Sequence, residues 1–112
     1  MSATRRNKNI RPARDKLGYL VDLACWNEAI ARLLASELSI ELTDAHWEII
    51  HAVRAYYQKF DSAPASRALI KWIGLKLGKD KGNSIYVMAL FPGSPAKSIA
   101  KIAGLPRPAN CI

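Results

Sequence analysis

The sequence lacks any long apolar run. No stretch approaches the about 18 residues that a membrane-spanning helix needs, so the chain reads as a protein with no membrane segment. Cysteine is scarce. Cys25 and Cys111 stand 86 positions apart, which makes neither a disulfide framework nor a metal-binding pair, and the expected compartment is the reducing cytoplasm. Histidine is scarce too. His46 and His51 are five apart, about 500° around a helix, so they miss the i, i+4 spacing of a helical metal pair. The six glycines form no phosphate-cradling loop. The basic start, MSATRRNKNIRPAR, has no apolar segment behind it of the kind a signal peptide carries. Acids are outnumbered, 9 against 17 bases, leaving a net charge of +8.

What is present is globular. Half of the 112 residues are hydrophobic and 23% are charged, which fits one domain able to bury a core without metal or disulfide staples. The charge is zoned: residues 1–16 carry net +5, residues 17–56 net −4 and residues 57–112 net +7. Residues 1–14 show no periodicity and read as a basic, flexible leader. Residues 15–104 read as the single domain and residues 105–112 as a C-terminal arm.

The pattern is mainly helical. Gly18-Tyr19-Leu20-Val21, with Asn9-Ile10-Arg11 before it, predicts a small N-terminal β-hairpin or meander. Trp26, Ile30, Leu33, Leu34 and Leu38 predict an amphipathic helix over 26–38. Thr43 is a good N-cap with Asp44 in the first turn. The stripes Trp47, Ile50, Val53, Tyr57 and Ile49, Tyr56, Phe60 then make that helix apolar over a wide arc, and so the central one. Pro64 suits the first position of the next helix, whose apolar face is Leu69, Ile70, Ile73 and Leu77. Gly74 within it marks a close backbone approach, and Gly78 reads as its C-cap. After a polar turn over 79–83, Ile85, Met88 and Ala89 form a short helix stopped by Pro92. Ser94-Pro95 starts the last helix, with Lys97 and Lys101 on one face and Gly104 at its end.

The final eight residues differ. Pro106 and Pro108 fix two φ angles and bias Leu105 and Arg107 away from helix, so the segment reads as an extended, flexible, polyproline-like arm with a reach of about 25 Å. Cys25, beside Trp26 at the start of an apolar helix, reads as a small packed hydrophobe. Cys111, behind two prolines at the chain end, reads as a working thiol. At an ordinary pKa of about 8.5 only about 3% is thiolate at pH 7. The neighbouring α-carboxylate disfavours ionisation further, and Arg107 opposes that effect if the arm folds back. A modestly activated thiol on an arm suits a carrier that takes a donor's sulfur as Cys111–S–SH and presents it elsewhere. The acids at 41, 44 and 48 read as capping and solvent-face groups, and Trp47, Tyr56, Tyr57, Phe60 and Trp72 as core packing.

The terminus Lys101-Ile102-Ala103-Gly104-Leu105-Pro106-Arg107-Pro108, then two residues, then Cys111-Ile112, resembles that of the DsrC/TusE family of sulfur-relay proteins. Gly18-Tyr19-Leu20 with Trp26, Leu42-Thr43 with His46-Trp47-Glu48, and Val53-Arg54 with Tyr57 are similar to its pattern, as are Lys81-Gly82-Asn83-Ser84 with Tyr86 and Leu90-Phe91-Pro92 with Gly93 and Pro95-Ala96-Lys97. The resemblance covers about residues 17–112 and not the leader. It implies an α+β, mainly helical fold: a β-meander on about five helices, ending in a flexible arm. It implies a sulfurtransferase-type carrier that needs no cofactor beyond the covalent persulfide on Cys111. Members tied to sulfite reductase carry a second arm cysteine ten residues earlier, where this chain has Lys101, so the resemblance points to the single-cysteine, TusE-like branch. That branch implies an upstream TusBCD-like complex, a downstream tRNA thiouridylase or other sulfurtransferase, and a place in wobble-uridine 2-thiolation near tRNA. Arg107, Lys101, Lys97, Pro106 and Pro108 are the expected docking residues around the thiol.

Two alternatives stand beside this reading. One is an accessory or regulatory protein of sulfur oxidation or sulfite reduction. The other is a nucleic-acid-binding module built on the helix–turn–helix-like run from Thr43 to Leu77, with Arg67, Lys71 and Lys76 on its second helix.

Overall fold

The computed structural model describes residues 13–108. The leader up to residue 12 and the last four residues, Cys111 among them, lie outside the described residues. Five helices follow one another: α1 (Glu28–Glu37), α2 (Asp44–Phe60), α3 (Ser66–Leu77), α4 (Ser84–Leu90) and α5 (Pro95–Ile102).

Their ends obey local chemistry. Asn27 caps α1 by accepting the Ile30 N–H on its side-chain oxygen at 2.9 Å. Asn83 does the same for α4 through the Tyr86 N–H at 2.8 Å. At the start of α2, His46 Nδ1 accepts the backbone N–H of Thr43 at 3.0 Å. Its Nε2–H must then be the donor to the Leu90 carbonyl at 2.8 Å, so one buried ring ties α2 to the end of α4. Pro95 opens α5, as the serine–proline pair predicts. Pro64 does not open α3. It is buried ahead of Ala65, the N-cap of a helix that starts at Ser66.

Among the described residues the expected N-terminal β-hairpin or meander is not found, and its Asn9-Ile10-Arg11 part lies outside them. Among the described residues there is one isolated antiparallel bridge, Arg14 to Leu20. The reason is local. Asp15 Oδ1 accepts the N–H groups of both Leu17 and Tyr19, and Gly18 turns the chain at φ +92°. Asp22 then caps a short 3₁₀ turn, Leu23–Cys25, so among the described residues the pairing stays at this one bridge. The fold is therefore helical in its described residues.

The core is built on α5 as much as on α2. Helix α5 packs on α1, α2 and α3, while α2 also pairs with α3. Ala96, Ile99, Ala100 and Ile102 of α5 are all buried, against Ala31, Leu34 and Ala35 of α1 and Ile49, Ile50 and Val53 of α2 in the same cluster. Each fully buried Leu or Ile here is worth about 1.5–3 kcal/mol of transfer free energy. The close approach expected at Gly74 is real, and its partner is Gly82: a Cβ on Gly82 would overlap the Gly74 backbone and stand 3.1 Å from the Ile70 carbonyl oxygen. Phe60 departs from the core reading. It is 49% exposed at the end of α2, where Tyr56 and Trp72 form an aromatic edge with it.

Candidate functional site

The site expected from sequence is the arm, and the structure defines its root. Helix α5 ends in a Schellman turn: Gly104 adopts φ +74°, its N–H meets the Lys101 carbonyl at 3.1 Å, and the Leu105 N–H meets the Ala100 carbonyl at 2.9 Å. The chain thereby reverses direction. Two carbonyls left over at the helix end are taken from outside. Trp26 Nε1 donates to Ile102 O at 2.8 Å and Arg54 Nη1 donates to Ala103 O at 2.6 Å. The Arg54 guanidinium also sits over the Trp26 ring, Cζ to centroid 3.9 Å. Burial in this position lowers the Arg54 pKa from its usual value. Trp26 closes on the turn so tightly that a Cβ at Gly104 would stand 2.8 Å from its Cγ and 2.9 Å from its Cβ. Glycine at 104 thus meets two requirements, the left-handed backbone and the indole contact.

Residues 105–108 are non-helical, as the prolines require, but they are not loose. Leu105 is buried in the core and Pro108 is fully buried, whereas Pro106 and Arg107 face solvent. Pro108 is therefore an anchor within the fold rather than part of an open docking face. Arg107 comes together with Lys97 and Lys101 around a cavity of about 220 Å³, with Leu17, Tyr19, Leu38 and Ser98 as its other walls. Of the five residues expected around the thiol, three share this cavity and a fourth, Pro106, lies exposed on the same short segment. Lys101 Nζ lies 5.2 Å from the Tyr19 ring centroid. The wall is held by Arg14, which donates to the Gly18 carbonyl and forms a two-pronged pair with Glu37. Arg14, counted by sequence in the leader, is thus part of the folded domain.

Cys25 corrects the sequence reading. It closes the short 3₁₀ turn and is exposed, because the turn points the neighbouring Trp26, and not Cys25, at the end of α5. Trp26 itself precedes α1 instead of opening it. Trp26 and Arg54 are the residues at the root of the arm that spacing missed. Helical periodicity assigned Trp26 to a core stripe, and nothing in a sequence pairs position 26 with position 102. Both do belong to the motifs that carry the family resemblance.

The other candidates fall away. Trp72, the aromatic nearest the α3 cations, is buried with its Nε1 bonded to Ala52 O at 2.7 Å, so it offers no face for stacking a base. Arg67, Lys71 and Lys76 remain as solvent-facing charges. Among the described residues no three His, Cys, Asp or Glu side chains are placed to hold a metal ion. No helix there is long and apolar enough to cross a membrane.

Comparison with known proteins fits this geometry. A family model described as DsrC like protein matches residues 6–112. The chain belongs to the DsrC-like family. The match begins at residue 6, so most of the basic leader falls inside it, farther than the resemblance from about residue 17 reached. The chain is 55% identical over 98 residues to a sulfurtransferase TusE homolog of Haemophilus influenzae, covering 88% of this chain and 90% of that one. It is 50% identical over 100 residues to the sulfurtransferase TusE of Pectobacterium atrosepticum, covering 89% and 92%. Its fold is similar to the solution structure of DsrC from Allochromatium vinosum, with a TM-score of 0.83 at 46% identity over 92% of both chains. As a family member with TusE relatives at this identity, the chain is a sulfur-relay sulfurtransferase.

Proposed function

We propose that Cys111 is the sulfur-bearing atom of this relay. In the forward step its thiolate attacks the outer sulfur of a donor persulfide, R–S–SH. The new S–S bond forms as the donor's S–S bond breaks, leaving R–S⁻ and Cys111–S–SH with no net oxidation. In the second step an acceptor thiolate attacks the outer sulfur and Cys111 leaves as its thiolate. Neither step needs a metal or an organic cofactor. The observation that carries the reading is the construction of the arm root. Trp26 and Arg54 hold the end of α5, Gly104 reverses the chain, and Pro108 is buried three positions before Cys111, so the segment that carries the thiol departs from a fixed point.

The pathway we propose is 2-thiolation of the tRNA wobble uridine in the cytoplasm, with a TusBCD-like complex as donor and a tRNA thiouridylase as acceptor. Its support is the TusE name of the relatives and the presence of Lys101 where a second arm cysteine would stand. Without that cysteine the arm has no local partner for an internal disulfide, which argues against the sulfite-reductase alternative. Lys97, Lys101, Pro106 and Arg107 form the docking surface for donor and acceptor in this proposal.

Incubation with a persulfide donor tests the carrier step. Wild type is expected to gain about 32 Da, one sulfur atom, at Cys111, and Cys111→Ser to gain none there. A wild type that never gains the mass overturns the proposal. For the pathway, loss of the gene is expected to remove 2-thiouridine from tRNA, with restoration by wild type and not by Cys111→Ser.

A further inference from the structure

Helix α4 turns its apolar stripe outward. Ile85, Met88 and Ala89 share one face at i, i+3 and i+4 spacing, and all three are exposed, Ile85 at 84%. The helix is held to the core by Val87 instead, which is fully buried. Beside the exposed face, Val87 and Met88 of α4, Leu69 and Ile70 of α3, and Pro95 and Ala96 of α5 line an apolar cleft of about 130 Å³. The cleft continues into a shallow groove along α3. Ser66, Ile70 and Ser84 border both, and Arg67 and Lys71 form the outer wall. Single exposed apolar side chains need no partner, but a stripe continuous with a cleft marks an interaction surface. The charge around it has one sign. Helices α3, α4 and α5 carry Arg67, Lys71, Lys76, Lys97 and Lys101 and no acid. Arg67 and Lys71 are exposed, and neither has an acidic partner among the described residues. Asp61 and Asp80 lie in the turns before and after α3 and border neither cleft nor groove.

We infer that the groove between α3 and α4 docks an acidic segment of another protein, with one large apolar side chain in the cleft and Asp or Glu against Arg67 and Lys71. The cleft is close in size to an apolar cavity of about 150 Å³ that accepts a benzene ring, so one Leu, Met or Phe side chain fits it. Carboxylates on that segment complement a wall that holds bases alone. Nucleic acid matches only half of the surface. Its phosphates suit Arg67 and Lys71, but the backbone it offers first brings no large apolar group to the cleft. A second copy docking through the same face would set Arg67 and Lys71 against like charges. The groove is distinct from the cavity beside the arm, because α5 separates them. That helix shows Pro95 and Ala96 to the groove and Lys97, Ser98 and Lys101 to the cavity. A partner is thus gripped on one side of α5 while the root of the arm stays uncovered on the other. The inference stands apart from the carrier reading of Cys111.

The test selects peptides on the full chain. A phage-displayed library of random, cysteine-free dodecapeptides is panned against wild type and, in parallel, against a Met88→Gln/Arg67→Gln/Lys71→Gln variant. All three positions are exposed, and circular dichroism checks that the variant is folded. Peptides enriched on wild type alone are expected to carry Leu, Met or Phe flanked by Asp or Glu. A synthetic peptide of the enriched sequence, labelled for fluorescence anisotropy, is expected to bind about tenfold more weakly to Met88→Gln and to Arg67→Gln/Lys71→Gln. Added salt is expected to weaken it as well. On wild type, its largest amide shift changes are expected within 66–71 and 84–88. No enrichment over the variant, enriched peptides without acids, or binding that neither substitution moves overturns the inference. Displacement of the labelled peptide by a short DNA duplex or by tRNA at a lower concentration than by the unlabelled peptide overturns it in favour of nucleic acid. Sedimentation showing a wild-type dimer that Met88→Gln makes monomeric overturns it in favour of a second copy. If the substituted chain does not fold, the shift map on wild type decides, and changes confined outside 66–71 and 84–88 overturn the inference.

Discussion

Arg54 sits 3.9 Å over the Trp26 ring, and the two side chains donate to consecutive carbonyls, Ala103 and Ile102, at the end of the last helix. Residues 28 positions apart in sequence thereby share one task, holding the point from which the arm departs.

Trp26→Phe keeps one aromatic ring but removes the rest of the indole with its N–H, leaving the Ile102 carbonyl without its donor. The expected cost is about 1–3 kcal/mol. For a domain of this size each kcal/mol lowers the melting temperature by about 4–8 °C. Arg54→Met is expected to cost a similar amount through the Ala103 carbonyl and the lost cation–π contact. Thermal unfolding followed by circular dichroism measures both. A melting temperature unchanged in both variants would show that the clamp contributes nothing.

Gly104→Ala meets two obstacles, the left-handed backbone and the Trp26 side chain. Together these are expected to cost about 2–4 kcal/mol. A double-mutant cycle with Trp26→Ala separates them. Removing the indole relieves the clash and not the backbone strain, so a coupling of about 1 kcal/mol or more is expected. Strict additivity would place the whole effect in the backbone.

Thiol counting tests the exposure of Cys25. Both cysteines are expected to react with an aromatic disulfide reagent in the folded protein, one in Cys111→Ser and the other in Cys25→Ser. Sulfur uptake is expected to survive Cys25→Ser within about twofold, because no step of the relay uses that thiol. A folded Cys111→Ser protein that does not react would return Cys25 to the interior.

His46→Phe tests the buried ring that joins α2 to α4. The substitution leaves the Thr43 N–H and the Leu90 carbonyl without their shared partner, at an expected cost of about 2–4 kcal/mol. Thermal unfolding followed by circular dichroism measures it, and an unchanged melting temperature would show that the shared ring contributes nothing.

Much of the helical frame was legible in advance. The N-cap at Thr43, the C-cap at Gly78, the serine–proline start at 94–95 and the stop at Gly104 are decided within a few residues by backbone hydrogen-bonding needs. They appear where the sequence places them. The placing of Lys97 and Lys101 on one face was equally local, and both do line one cavity. The N-terminal segment was misread because β-branched and aromatic composition signals strand tendency without saying whether Asp15 or a neighbouring strand takes the backbone N–H groups. Pro64 was misplaced for a similar reason: it suits an N1 position, but here it is buried ahead of the cap.

The sequence by itself determined the chemistry. Two scarce cysteines, a proline-spaced terminus and the family motif around Cys111 pointed to sulfur transfer, because reactivity resides in residue type and short-range order. Tertiary structure decided where that chemistry is held. Trp26 and Arg54 reach the end of α5 across 76 and 49 positions of chain, Cys25 faces solvent while its neighbour packs, and three separated cations converge on one cavity beside the arm. Such contacts depend on how helices pack against one another, and local periodicity carries no information about which distant residue will occupy the facing position.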